Sequence, residues 1–82
     1  MAIKARVIVT LKPGVLDPQG KAIEGALSDL GFDGVGTARQ GKVIDLTLDE
    51  DDVEAAHAAV TKMCEDLLAN TVVERYQITL ES

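Results

Sequence analysis

Apolar and polar residues alternate from Ile3 to Leu11. Ile3, Ala5, Val7, Val9 and Leu11 take one face while Lys4, Arg6, Ile8 and Thr10 take the other, the period-two pattern of a half-buried strand. Dense turn chemistry follows in the stretch LKPGVLDPQG, residues 11–20. Asp17 offers an N-cap side chain there, and Pro18 suits the first helical position, where its missing N–H costs nothing. Ile23, Ala26, Leu27 and Leu30 then recur at helical spacing. Gly31 and Phe32 read as a C-terminal glycine followed by a hydrophobic contact back onto the helix, so a first helix is predicted over 18–30. Val35 to Gln40 reads as a weak strand, Gly41 as a tight turn, and Val43 to Leu48 as the second half of a hairpin, with Ile44, Leu46 and Leu48 opposite Val43, Asp45 and Thr47.

The next segment, LDEDDVEAAHAAVTKMCEDLLAN, carries a second helix. Asp49 can cap it, and the acidic first turn suits the helix dipole. Val53, Ala56 or His57, Val60, Met63, Cys64, Leu67 and Leu68 form its apolar stripe. Asn70 can end it in a left-handed conformation. A last strand runs from Val72 to Leu80, with Val72, Tyr76, Ile78 and Leu80 on one face. The order β-α-β-β-α-β is that of ferredoxin-like split βαβ domains, so the expected fold is α+β: a small two-layer sandwich with an antiparallel sheet and both helices on one face. The other face would carry Lys4, Arg6, Ile8, Thr10, Val43, Asp45, Thr47, Arg75, Gln77 and Thr79. That mixture fits either solvated sheet or a subunit contact made through paired charges. No linker or repeat divides the chain, and a single domain over 1–82 is expected.

Composition sharpens this picture. Hydrophobic residues make up 46% of 82, yet Phe32 and Tyr76 are the only aromatics. The core must come from Val, Ile, Leu and Ala. A chain this short buries only about 60% of the surface its unfolded form exposes, so self-association would help it, and a homo-oligomer is expected. The net charge of −6, from 14 acidic and 8 basic residues, opposes a phosphate backbone or an anionic membrane as partner. The single cysteine, Cys64, excludes an intrachain disulfide, and no apolar run is long enough to cross a bilayer. A cytoplasmic protein is expected.

Little reactive chemistry is recognisable. His57 is the only histidine, and it falls at the edge of the second helix's stripe. His57 and Cys64 lie seven residues apart, but a closed zinc site wants four ligands, usually in close pairs, and a packed histidine and a buried inert thiol are the simpler reading. GTARQGK, residues 36–42, has the glycine and lysine spacing of a phosphate-binding loop, but Val43 follows the lysine and opens a strand rather than a helix. The acidic run Asp49, Glu50, Asp51, Asp52 and Glu54 lacks the spacing of a hard-cation loop and fits a helix start. An acylphosphatase-like enzyme would need an arginine in the loop after the first strand, where Lys12 is the only cation. No catalytic, cofactor or metal residues are assigned to this chain.

The stretch from Leu11 to Gly20 remains. Pro13-Gly14 makes a rigid turn, Val15-Leu16 an apolar pair, and Gly20 sits in the first helical turn, where glycine costs about 1 kcal/mol relative to alanine. A stiff connector and a surface approached closely by another backbone or partner both fit. VTLKPGVLDPQGKAIEGALSDLGF, GKVIDL and CEDLLANTVVERYQI together closely resemble the PurS family, the small subunit of phosphoribosylformylglycinamidine (FGAM) synthase in purine biosynthesis. The resemblance spans nearly the whole chain, and KPGVLDPQG is its most specific part. Where the family often has Asn-Pro-Val-Ile-Glu, this chain has Asn70-Thr71-Val72-Val73-Glu74.

The resemblance implies a non-catalytic assembly subunit, present as a dimer or tetramer. Such a subunit bridges a large synthetase subunit (PurL), which uses ATP and Mg to convert formylglycinamide ribonucleotide (FGAR) to FGAM, and a glutaminase subunit (PurQ) that supplies ammonia. On this reading Lys12, Pro13, Gly14, Val15, Leu16, Asp17, Pro18, Gln19 and Gly20, with Arg39, Gly41 and Lys42, present a stiff surface to the partners. Stiff loops lose little entropy on docking. The alternative is a free-standing regulatory domain of ACT-like type that binds a small metabolite between subunits.

Overall fold

The computed structural model describes residues 2–81. In chain order these form β1 (Ala2–Leu11), α1 (Pro18–Asp29), β2 (Gly41–Asp49), α2 (Val53–Met63) with a π-helical extension (Cys64–Leu68), and β3 (Glu74–Glu81). β1 occupies the middle of the sheet and is antiparallel to both neighbours, in the order β2-β1-β3. β2 and β3 are therefore parallel to one another with β1 between them, and α2 connects them: a split βαβ unit, α+β in class as expected.

The alternation along β1 decides which face is covered. Ile3, Ala5, Val7 and Val9 are each at most 2% exposed, and Lys4, Arg6 and Ile8 point to the open face. α2 lies over β1 and β3 and buries Ala56, Val60 and Cys64, which recur every fourth residue on one helical face. Tyr76 Oη donates to Glu65 Oε2 at 2.7 Å, tying the end of that helix to β3. On the open face Arg6 makes a two-pronged ion pair with Asp45, at 2.8 and 3.2 Å.

The π-turn changes the expected stripe. Widening the helix by one residue per turn leaves Leu67 exposed, Leu68 half-buried and Ala69 buried. Val53, included in the predicted stripe, is exposed, and of the alternatives Ala56 and His57 it is Ala56 that is buried and His57 that is exposed. Cys64 is fully buried, and that burial, with Glu65 nearby, raises its thiol pKa. The chain's one cysteine should therefore resist a thiol reagent in the native protein and react fully in denaturant. Fast labelling under native conditions would contradict its placement.

Both ends of α2 differ from the sequence expectation. Asp52, not Asp49, is the N-cap, its Oδ1 accepting from Glu54 N at 3.0 Å. Asn70 is not left-handed, since no described non-glycine residue has positive φ. Ala69 turns extended and donates to Cys64 O, and Asn70 instead opens a turn: its Oδ1 accepts from Val72 N, its carbonyl accepts from Val73 N and Glu74 N, and its own N–H donates to Glu74 Oε1. This turn takes up Val72 and Val73, so β3 starts two residues later than predicted.

Two larger corrections concern the first half of the chain. Residues 35–40 form no strand, so there is no hairpin with Gly41 at its turn. Their amides go elsewhere: Ala38 N donates to Glu24 Oε2 and Gln40 N to Asp17 Oδ2. Nor does α1 lie on the sheet beside α2. Of its residues only Gly20 is buried, and Leu30 and Phe32 are 73% and 58% exposed. The Cα radius of gyration is 16.3 Å and the long axis 49 Å, against about 12 Å for the gyration radius of a compact domain of this length. A ten-residue strand spans roughly 33 Å and a twelve-residue helix roughly 18 Å, so the long axis fits a sheet prolonged by α1. The helix and the segment returning from it form an arm rather than a layer.

Candidate functional site

The base of this arm brings the two separate sequence segments together. α1 begins because Asp17 Oδ1 accepts from Gly20 N at 2.8 Å with Pro18 at the first helical position. It ends in a Schellman turn: Gly31, at φ +95°, donates to Ser28 O, and Phe32 N donates to Leu27 O. The chain then returns alongside α1. The second oxygen of Asp17 accepts from Gln40 N at 2.8 Å, and Glu24 accepts from Ala38 N at 2.9 Å. Arg39 completes the fastening by donating to the carbonyls of Val15, at 2.8 Å, and Lys12, at 3.1 Å. Lys12 N in turn donates to Val73 O at 2.8 Å, so the loop is held to the start of β3 as well.

Gly20 has its reason here. A Cβ on it would collide with the carbonyl oxygen of Ala38. The close approach inferred from sequence is made by the chain's own backbone. Gly41 is similar, a Cβ there falling 2.6 Å from Val9 O, and Gly14 adopts φ +85° with open space around it, a conformation that glycine alone reaches without strain.

Of the residues predicted to face partners, Lys12, Pro13, Gly14, Leu16, Pro18, Gln19, Arg39, Gly41 and Lys42 are exposed and Val15 is half-buried. Asp17 and Gly20 are buried and act as the internal fastening. Sequence reasoning missed Glu24, whose side chain is 20% exposed and pairs with Lys21 at 3.6 Å. Its spacing of seven from Asp17, two turns along the helix, is the signal that was available. Two shallow recesses flank the fastening: one of about 470 Å³ includes Pro18, Gln19, Gln40 and Lys42, and one of about 320 Å³ includes Gly14, Leu16, Lys21 and Arg39. The surface between them is cationic at Lys12, Lys21, Arg39 and Lys42 on a chain of net charge −6.

The electrostatics favour a permanent fastening near neutral pH. Hydrogen bonds from Gln40 N and then Gly20 N, helped by Arg39, hold the Asp17 carboxyl below its ordinary pKa. The contribution of a group depressed in the folded state is complete above its unfolded pKa and is lost as pH falls through the folded value. The amides of Gly20 and Gln40 should accordingly keep their chemical shifts from neutrality to about pH 4 and move together only in stronger acid. A transition between pH 5 and 7 would show that the carboxylate is not held this way.

The Asp17 and Glu24 carboxylates are spent on backbone amides and the Arg39 guanidinium on carbonyls. The result is a rigid, multiply fastened junction. The family model for phosphoribosylformylglycinamidine (FGAM) synthase PurS matches residues 4–82. The chain belongs to the PurS family. It is 51% identical over 71 residues to the phosphoribosylformylglycinamidine synthase subunit PurS of Synechocystis, covering 87% of this chain and 71% of that one. Among solved structures, Bacillus subtilis PurS superposes with TM-score 0.88 at 41% identity, over 98% of this chain and 99% of that one. A chain in the structure of PurLQS from Thermotoga maritima gives TM-score 0.89 at 34% identity, over 99% of each. The PurS fold therefore includes the projecting arm, since agreement over nearly the full length takes in α1 and its return segment. No helix among the described residues is long and apolar enough to cross a membrane.

Proposed function

We propose that this PurS chain is an assembly subunit of FGAM synthase, the ATP- and glutamine-dependent converter of FGAR to FGAM in purine biosynthesis. It acts as a homo-oligomer that bridges the large synthetase subunit, PurL, and the glutaminase subunit, PurQ. The observation that carries this reading is the full-length match to PurS chains, one of them in a PurLQS structure. The junction supports it: the exposed residues Lys12, Pro13, Gly14 and Leu16, with Arg39 and Lys42, stand on a backbone fixed by Asp17, Glu24 and Arg39, so little entropy is lost when a partner covers them. ATP and Mg are used on the large subunit, and this chain contributes position and shelter for ammonia rather than bond-making groups. The metabolite-binding regulatory alternative has no comparable support.

The test is omission. With the two larger subunits, ATP, FGAR and glutamine present, FGAM formation should fall to background without this chain and return when it is added back. Undiminished synthesis in its absence would reject the subunit role.

A further inference from the structure

We infer that the cationic rim of the junction, Lys12, Arg39 and Lys42, receives an acidic segment carried by the larger subunits of the synthase. This rests on the proposed subunit role and deepens it by naming the chemistry of the surface that meets the junction.

Charge is segregated along the molecule. Residues 12–24, 37–42 and 74–75, which meet at the base of the arm, carry five of the eight basic residues: Lys12, Lys21, Arg39, Lys42 and Arg75. They carry three of the fourteen acidic ones, Asp17, Glu24 and Glu74, so this end is net positive by two. The rest of the chain, with three basic and eleven acidic residues, is net negative by eight. Five of those eleven, Asp49 to Asp52 and Glu54, gather at and just beyond the far end of β2, roughly 26 Å along the strand from Gly41.

At the junction the carboxylates are engaged and the cations are not. Asp17 accepts from Gly20 N and Gln40 N, Glu24 from Ala38 N, and Glu74 from Asn70 N. Lys12 and Lys42 are exposed and make no ion pair with any described residue. Arg39 gives two nitrogens to the carbonyls of Val15 and Lys12. Carbonyls hold the guanidinium in place without neutralising it.

The relief of the junction selects the kind of anion. Both recesses beside the rim have carboxylates in their walls, Asp17 and Glu74 in one and Asp17 and Glu24 in the other. A small anion settling into either would meet negative charge, whereas carboxylates that stay on the rim meet Lys12, Arg39 and Lys42 first. Nucleic acid or an anionic membrane extends well past the Debye length of about 8 Å and so also faces the negative remainder of the chain. A discrete acidic patch on a protein avoids both penalties. The segregation of charge then turns the junction toward that patch and the far end of β2 away from it.

The test measures binding of the tagged chain to PurL and PurQ with ATP and glutamine present. Lys12→Glu and Lys42→Glu should each weaken it by about 10-fold, and the pair by about 30-fold or more, at low salt. In about 0.5 M salt the gap between the pair and wild type should shrink to about threefold. Lys4→Glu is the control: Lys4 is exposed, lies at the other end of β1 and makes no ion pair with any described residue, so it alters net charge equally and should change binding by less than about twofold. Rim variants that bind as wild type does overturn the inference, as does an equal loss with Lys4→Glu, which would make net charge the cause. Polymers of the chain alone that the rim variants disperse overturn it in favour of the chain's own acidic run as occupant. Should the reversed variants misfold, Lys12→Gln with Lys42→Gln decides, with a loss of about fivefold expected and none overturning the inference. A wild-type chain that binds while the rim proves indifferent leaves the subunit role standing; one that never binds the larger subunits removes both.

Discussion

Gly20→Val should unfasten the arm while leaving the sheet folded. The carbonyl of Ala38 occupies the space a Cβ at residue 20 would need, and that atom is backbone, so neither a rotamer change nor a flexible neighbour can relieve the clash. Displacement of this kind costs about 1–3 kcal/mol, and the hydrogen bonds at Ala38 and Gln40 depend on the same close approach. Once released, α1 is a twelve-residue helix with almost no tertiary packing of its own, and isolated helices of that length are marginal in water. Hydrogen exchange should show amides in residues 20–40 losing most of their protection, while those of β1 and β3 keep theirs. Equal loss throughout would mean that arm and body form one cooperative unit. Unchanged protection would mean that the junction does not hold the arm.

Ile3→Ala should have the opposite distribution, destabilising the whole chain. Ile3 is 1% exposed on the central strand, paired to Leu48 of β2. Truncating a buried isoleucine costs about 2–5 kcal/mol, and a domain of this size has only about 4–12 kcal/mol in total. With so few large buried side chains, Ile3, Val7, Val9, Val60 and Cys64, little can collapse into the cavity. The urea midpoint should fall by between a third and a half or more, with fluorescence of Tyr76 and far-UV circular dichroism changing together. A midpoint shifted by less than a tenth would contradict the placement of Ile3 in the core.

What the sequence made legible follows from what local chemistry controls. The alternation of β1, the Asp17-Pro18 start of α1 and the Gly31-Phe32 stop each depend on neighbours a few residues away, and each is found where expected. The strand inferred for 35–40 failed because its amides are claimed by Asp17 and Glu24, residues 23 and 14 positions earlier, a competition no short window reveals. Direction was equally hidden: the stripe Ile23, Leu27, Leu30 says that α1 has an apolar side, but not that the helix projects away from the chain's own sheet. The π-turn after Met63 inserts one residue into the repeat, so Leu67, which a uniform helical period puts in the apolar stripe beside Leu68, is exposed while Leu68 packs against the core. At the junction, the two candidate segments were legible as punctuation. That they form one fastened surface, with Asp17 and Gly20 inside it and Glu24 added, required the fold.

The cationic exposed rim of the junction and the net charge of −6 have a consequence for association. If the proposed assembly role runs through Lys12, Arg39 and Lys42, docking should select acidic partner surfaces and weaken as salt rises.

The measurement that bears most directly on the role of this chain is sedimentation of the wild-type and Gly20→Val forms with the PurL and PurQ subunits, ATP and glutamine. The wild-type chain should move wholly into the fast boundary of the larger subunits, and the Gly20→Val chain should remain slow. A wild-type chain that sediments alone under these conditions, or a Gly20→Val chain that joins the complex as readily, would contradict the assembly role of the fastened junction.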